Sequence, residues 1–350
     1  MGRMTRWPGR VLIPLLLLAG CAGPAHRERS WAAMGCQASA EVYTTTERDA
    51  GLLLDAIGEA VERVGSTMTL ERPSSELNRL NAEASDGPYR LADRDLYRCI
   101  RLAVDYAKTS EGVFDPTVGA VTRLYGGPAP PPPAELVAAV ESVGWSAVVF
   151  EREALAVRFG EPGMALDLGG VVHGYALDVA ARNFARPGSR AGLLRLGHHV
   201  YAWGRPPDRP VWEVQLADPR SAGRPLVEVR VGTRGIALTG AREAPDAGGN
   251  PIVDPRNGRP AETNVLVAVA FADSAADADA VSTALYVGGS RRAGALLSKT
   301  RRVESILLVE GEKERYLIAS ASLDGRLKLS EELSREVAGQ VRYLLPPARL

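Results

Sequence analysis

Asp279 and Thr283 stand four residues apart in Ala278-Asp-Ala-Val-Ser-Thr283, inside a stretch that predicts a helix over residues 277–286. Four residues is about one helical turn, so a carboxylate and a hydroxyl share one face. Hard oxygen donors in such a pair suit Mg2+. A first-turn Asp and an ordinary packing Thr would account for the same two residues. The second chemical segment is Asp167-Leu-Gly-Gly-Val-Val-His-Gly-Tyr-Ala-Leu-Asp178, where a carboxylate and three glycines lead into a helix expected from near Tyr175. Glycines ahead of a helix start let backbone come close to a ligand and aim N–H groups at an anion. Two further segments join acidic and turn residues, Phe114-Asp-Pro-Thr-Val-Gly119 and Ile252-Val-Asp-Pro-Arg-Asn-Gly258. In the latter, Asp-Pro followed by Asn-Gly is a turn signal, and a tight hairpin explains it equally well.

The elements that must hold these segments mix helices and short strands. Apolar spacing predicts helices over 48–64, 91–108 and 134–143, and strands over 38–43, 147–150, 154–158, 193–196, 212–215, 226–231, 305–309, 315–319 and 327–329. Helices and hairpins without strict β-α-β alternation indicate an α+β fold with mixed, largely antiparallel sheets and packed helices. The Gly126-Gly-Pro-Ala-Pro-Pro-Pro-Pro133 stretch reads as a stiff surface connector and a boundary between two intimate lobes. No fixed-period repeat is present.

Residues 1–20 read as an export signal. Arg3, Arg6 and Arg10 precede the apolar run Val11 to Leu18, and Leu18-Ala-Gly-Cys21 is a small-residue cleavage site ending on Cys. The pattern predicts a lipid on Cys21, with residues 21–30 as a tether and 31–340 as the working domain, exported and anchored to a membrane on its periplasmic side. Removing the signal takes three arginines from 42 Lys and Arg, against 42 Asp and Glu. A chain this close to neutral lacks the basic surface of a nucleic-acid binder. Cys36 and Cys99 could pair in an oxidising compartment, but two cysteines far apart in sequence are no disulfide scaffold, and they read as buried thiols.

The ordered series of motifs resembles the FAD:protein FMN transferase (ApbE-like) family. It comprises Met34-Gly-Cys, Arg72-Pro-Ser-Ser-Glu-Leu-Asn-Arg-Leu-Asn81, Phe114-Asp-Pro-Thr-Val-Gly, Asp167-Leu-Gly-Gly, Leu196-Gly197, Asp254-Pro-Arg-Asn-Gly and Ala278-Asp-Ala through Thr283-Ala-Leu. The resemblance implies a cleft between two lobes that holds FAD as substrate. It also implies Mg2+ on the pyrophosphate and an acceptor Thr hydroxyl on a partner flavoprotein of a membrane or exported redox system. FMN would become ester-linked to that partner and AMP would leave. It places Asp279, Thr283, Ser282 and the Gly170 carbonyl at the metal, and Met34, Glu71, Val113, Phe114, Asp115, Asp167, His173 and Val253 around the flavin nucleotide. Such chemistry is phosphoryl transfer, carried by alignment and charge neutralisation.

The chain departs from that pattern at polar positions. Pro251 stands where the family has His, three residues before the Asp of its Asp-Pro-Arg motif, and offers neither a proton nor a donor. His173 stands for a Lys or Glu. Thr239-Gly-Ala-Arg242 replaces Ser-Gly-Asp-Tyr, and Leu196-Gly-His-His199 replaces Leu-Gly-Gly-Asn/Asp. The segment 240–254 looks shortened. Three of the four histidines fall at these altered places, so His173, His198 and His199 are the catalytic candidates of a rebuilt site, imidazole being able to serve a phosphate or move a proton near pH 7. A catalytically impaired FAD-binding lipoprotein and a metal-dependent FAD pyrophosphatase are the alternative readings.

Overall fold

The computed structural model describes residues 24–127, 129–221, 224–240, 251–300 and 302–344. The described strands are β1 (Ala25–Ala33), β2 (Cys36–Thr44), β3 (Tyr89–Arg90), β4 (Val148–Glu151), β5 (Ala156–Phe159), β6 (Ser189–Leu196), β7 (His199–Gly204), β8 (Trp212–Ala217), β9 (Pro225–Val231), β10 (Arg234–Gly240), β11 (Val265–Ala272), β12 (Glu304–Glu310), β13 (Arg315–Ser320), β14 (Leu327–Leu329) and β15 (Val341–Leu344). The helices are α1 (Glu47–Met68), α2 (Glu76–Glu83), α3 (Arg94–Thr109), α4 (Gly119–Leu124), α5 (Pro133–Glu141), α6 (Val172–Ala181), α7 (Ala275–Gly288), α8 (Ser290–Lys299) and α9 (Glu331–Glu336).

One sheet organises the chain, in the order β1-β2-β6-β7-β10-β11-β12-β13-β15. Its ladders are antiparallel except for β13 with β15. Both faces are buried. On β11, Ala268, Ala270 and Ala272 face one hydrophobic core, whereas Val267, Val269 and Phe271 face another. On β10 and β12 the faces divide likewise, Ala237 and Leu307 against Ile236, Leu238, Ile306 and Leu308. The alanine face lets helices come close, and α1, α6 and α7 pack there. The bulkier face is covered by β8, β9 and β14, which form a separate three-stranded sheet, and by α9. The third small sheet, β3-β5-β4, joins the helix-side core through Val157 and Phe159.

This is the expected α+β architecture with largely antiparallel sheets. Its parting lies between the faces of the large sheet and not at the Pro-rich connector, since residues on both sides of 126–133, such as Ile100 and Leu177, share one core. Three expectations change. Residues 25–30, read as tether, belong to β1 and pair with β2 from Ala25↔Thr44 to Ala33↔Cys36. The helix expected near Tyr175 begins at Val172. Of the two thiols, Cys99 is buried in the core, whereas Cys36 is half-buried with its Sγ toward the Ala33 carbonyl at 3.4 Å. Cys21, the signal segment and most of the 240–254 segment lie outside the described residues.

The contact that matters most for the site is the crossing of α6 and α7. A Cβ on Gly174 would lie 2.2 Å from the Ala275 carbonyl oxygen, and one on Gly235 of β10 would lie 2.4 Å from the Ala275 nitrogen. Only residues without a side chain allow backbone to press on the start of α7 from both sides. The two helices also exchange carboxylates. Asp178 of α6 accepts from the Ala275 and Ala276 amides at 2.8 and 2.9 Å, and Asp279 of α7 accepts from the Gly174 amide at 3.0 Å. Each thereby satisfies amides that a helix start leaves without intrahelical partners.

Candidate active site

Asp279 is the centre of the candidate site. It is 2% exposed, and its Oδ2 is held by the Gly174 amide while its Oδ1 lies 3.0 Å from His199 Nε2. His199 is the first residue of β7, carried there by the tight β6–β7 turn that pairs Leu196 with His199. Its Nδ1 faces the Leu196 carbonyl at 3.1 Å. His173, in the first turn of α6, stacks on His199 with ring centroids 5.2 Å apart and planes 10° from parallel. Its Nε2 lies 3.4 Å from the Met34 carbonyl, and Met34 itself sits at φ +48° in the β1–β2 turn.

Electrostatics separate the two imidazoles. Burial pushes His173 down, and the neighbouring His199 pushes it the same way, so it favours the neutral form. Burial opposes the charge of His199 too, but the Asp279 carboxylate and its hydrogen bond outweigh it and hold His199 above its ordinary value. Asp279 is held below the carboxylate range for the reciprocal reason, in spite of complete burial.

One turn further along α7, the Thr283 hydroxyl donates to the Gly170 carbonyl at 3.5 Å. Gly170 fits there because it has no side chain: a Cβ would come within 2.9 Å of Phe114 Cε2 and 3.2 Å of Thr283 Cγ2. Hydroxyl and carbonyl thus meet one turn along α7 from the Asp279 carboxylate, and hard oxygen donors of these types suit a divalent cation such as Mg2+. Ser282 points elsewhere. It is fully buried, bonded to the Asp279 carbonyl at 3.0 Å and sharing a 2.7 Å contact with Thr239 of β10.

The other motifs dock onto this centre through backbone. Segment 114–119 runs beside 165–167, with Asp167 N donating to the Pro116 carbonyl and Gly119 N to the Ala165 carbonyl. Asp115 spends both oxygens on this loop, Oδ1 on the Thr117 amide and hydroxyl and Oδ2 on the Trp145 amide, and burial raises it. Asp167 accepts from the Gly169 amide at 2.7 Å, turning the chain into the glycine pair; it too is raised by burial. The exposed Glu71 is near enough for its charge to act on both Asp167 and His173. Val113 is buried against Gly288 at the end of α7. Val253 bridges to Pro260 across a tight turn in which Asp254 binds Arg256, the hairpin that the sequence allowed. That turn packs on α4 and α5, Tyr125 Oη donating to the Gly258 carbonyl. His198 is half-buried in the β6–β7 turn beside His199.

Sequence reading missed two positioning residues. Asn81 clamps the backbone next to Asp167, accepting from Leu166 N at 2.7 Å and donating to its carbonyl at 2.9 Å. Its signal was there, as the last residue of the Ser-Glu-Leu-Asn-Arg-Leu-Asn motif. Thr239 contacts both Ser282 and Thr283 from β10. Pockets on the β1–β2 surface, lined in one case by Arg29, Glu41, Arg195 and Trp212 and in another by Trp31, Asp55 and Glu62, contain none of the candidate residues.

Fold and site together define an α+β protein with a buried carboxylate, hydroxyl and carbonyl centre flanked by two imidazoles. Residues 34–307 match the model of the ApbE family, and the chain belongs to that family. It is 28% identical to the FAD:protein FMN transferase of Treponema pallidum (strain Nichols), over 92% of this chain and 96% of that one. It is 26% identical to that of Vibrio cholerae serotype O1, over 89% and 96%. Among solved structures, the flavin transferase ApbE from Vibrio cholerae superposes with a TM-score of 0.75 at 22% identity, covering 87% of this chain and 99% of that one. The apo flavinyl transferase ApbE of Pseudomonas stutzeri gives 0.74 at 20%, covering 87% and 97%.

Proposed function

We propose that this chain transfers FMN from FAD to a Thr hydroxyl of a partner flavoprotein in an Mg2+-dependent reaction that releases AMP. Family membership supports the transferase class and the flavin substrate. The observation that carries the finer reading is the Thr283 hydroxyl on the Gly170 carbonyl, one turn along α7 from the buried Asp279 carboxylate. These three would hold the cation, which when bound supplies charge neutralisation at the pyrophosphate. Phe114, pressed against Gly170, would line the nucleotide beside them. His199, already on Asp279 Oδ1, is the group placed to hold or move a proton there.

The signal-like N-terminus supports export, with lipid on Cys21 and the working domain on the periplasmic side of a membrane. Among the described residues no helix is long and apolar enough to cross a membrane.

Pro251 favours a second reading, an FAD binder without transfer, and water in place of the acceptor Thr would give a pyrophosphatase. In-gel flavin fluorescence of a candidate acceptor, together with assay of free FMN and AMP, separates the three. Fluorescence on the acceptor with AMP release, lost at least about tenfold in Asp279→Asn and Thr283→Ala, is the expected result. Release of FMN and AMP without labelling would mean hydrolysis. Neither product would leave binding alone and end the transferase reading.

A further inference from the structure

Three separate elements bring metal-binding side chains to one point. His173 of α6, His199 of β7 and Asp279 of α7 each offer a ligand atom, and these atoms lie within 4.8 Å of one another. The side chains of His199 and Asp279 are 14% and 3% exposed, so the cluster sits away from bulk water.

The surroundings orient these groups as ligands are oriented in metal centres. A metal-bound imidazole usually donates its other ring N–H to a carbonyl or carboxylate, which fixes tautomer and ring direction. His199 has that arrangement, with Nδ1 at the Leu196 carbonyl and Nε2 turned to Asp279 Oδ1. The carboxylate is steadied from behind by the Gly174 amide on Oδ2, which leaves Oδ1 facing the imidazole. His173 is fixed by its stacking on His199.

We propose that His173, His199 and Asp279 form a binding site for a first-row transition cation, represented by Zn2+, and that these nitrogen ligands make the chain prefer such an ion to Mg2+. Imidazole nitrogen suits Zn2+, Ni2+ and Cu2+, whereas Mg2+ favours sites made of oxygen. Three protein ligands also leave a coordination position open, as in catalytic zinc centres. At Asp279 such an ion would compete with the Mg2+ of the transferase reading, but the titration requires neither FAD nor an acceptor, so the failure of either can be told from the failure of the other.

The test uses the full chain in detergent, stripped of metal by a chelator and titrated with Zn2+ against a chromophoric competitor, with Mg2+ titrated in parallel. The His26→Ala background removes a second cluster, His26 with Glu28 and Glu41, on the exposed β1–β2 surface. Expected is one equivalent of Zn2+ bound at least about 100-fold more tightly than Mg2+, weakened about tenfold or more by His173→Ala and by His199→Ala. Co2+ should give visible d–d bands without a thiolate charge-transfer band, a readout that requires no variant to fold. Zn2+ affinity no greater than that for Mg2+, affinity unchanged in both histidine variants, or a Co2+–thiolate band from Cys36 would each overturn the site.

Discussion

His199 Nε2 stands 3.0 Å from Asp279 Oδ1, and the Gly174 amide holds the opposite oxygen at the same distance. The carboxylate is therefore engaged on both sides before any ligand arrives, and whatever binds Oδ1 must take the place of His199 or join it. Removing His199 leaves a buried charge with one partner fewer. His199→Ala should accordingly lower the stability of the metal-free protein by about 3 kcal/mol near pH 6, measured by urea unfolding. An unchanged midpoint would show that the pair contributes nothing.

Gly174→Ala tests the crossing itself. The added methyl would meet Ala275 backbone at 2.2 Å, and backbone held between α6 and β10 has nowhere to retreat. The variant should lose roughly 3 kcal/mol or more, or fail to fold, whereas Gly294→Ala on α8, where a Cβ meets nothing within 4 Å, should be neutral or slightly stabilising. Equal melting temperatures for the two variants would contradict the close approach.

Gly170→Ala probes the site without replacing a proposed ligand side chain. Its methyl would press on Phe114 and Thr283, two side chains able to yield by a few tenths of an ångström, so a modest cost of about 1–2 kcal/mol is expected. The larger effect should fall on FAD affinity, read by flavin fluorescence titration, because Phe114 belongs to the proposed nucleotide site and Thr283 to the cation site beside it. Wild-type affinity in a folded variant would remove Phe114 from it.

The sequence already held the oxygen half of the site. Spacing alone puts Asp279 and Thr283 on one helix face, and the Asp167 segment turned into a helix as its glycines suggested. The histidines were legible as candidates, but their meeting with Asp279 was not, because His199 reaches Asp279 only through the order of strands in the sheet, 80 residues away in sequence. β11 was overlooked for a related reason. Both of its faces are buried, so Val265–Ala272 is an unbroken apolar run with no alternation to read. β1 escaped through the opposite property: His26, Arg27, Glu28 and Arg29 are exposed charged or polar residues on an edge strand, a composition that also suits a tether.

Asp178 gives a pH dependence of definite sign. Burial pushes its carboxyl up to about 6 from 3.8, and the Ala275 and Ala276 amides only partly offset this. A raised carboxyl stabilises the fold while protonated, fully below about pH 3.8, and that contribution disappears as pH rises through about 6. The stability of the wild type relative to Asp178→Asn should therefore fall by about 2 kcal/mol between pH 4 and pH 6.5 and then level off. Urea unfolding of both proteins across that range checks it, and a difference independent of pH would mean that the buried carboxyl titrates normally.

Glu336 should behave in the opposite sense at the far side of the sheet. Burial raises its carboxyl, but Arg220, Arg315 and Arg224 outweigh this and hold it at about 2. The contacts are Arg220 Nη1 and Arg315 Nη1 on Oε1 at 2.7 and 2.8 Å, and Arg224 Nη2 on Oε2 at 2.6 Å. They tie α9 to the turn after β8 and to β13. A lowered carboxyl stabilises above its ordinary value of 4.5, and the gain is lost as pH falls toward 2. Because solvent reaches part of the cluster, Glu336→Gln should cost about 1–2 kcal/mol at pH 7 and progressively less below pH 4.5. Unfolding curves at pH 7 and pH 3 compare the two, and a cost that stays the same at pH 3 would assign the effect to shape instead of charge.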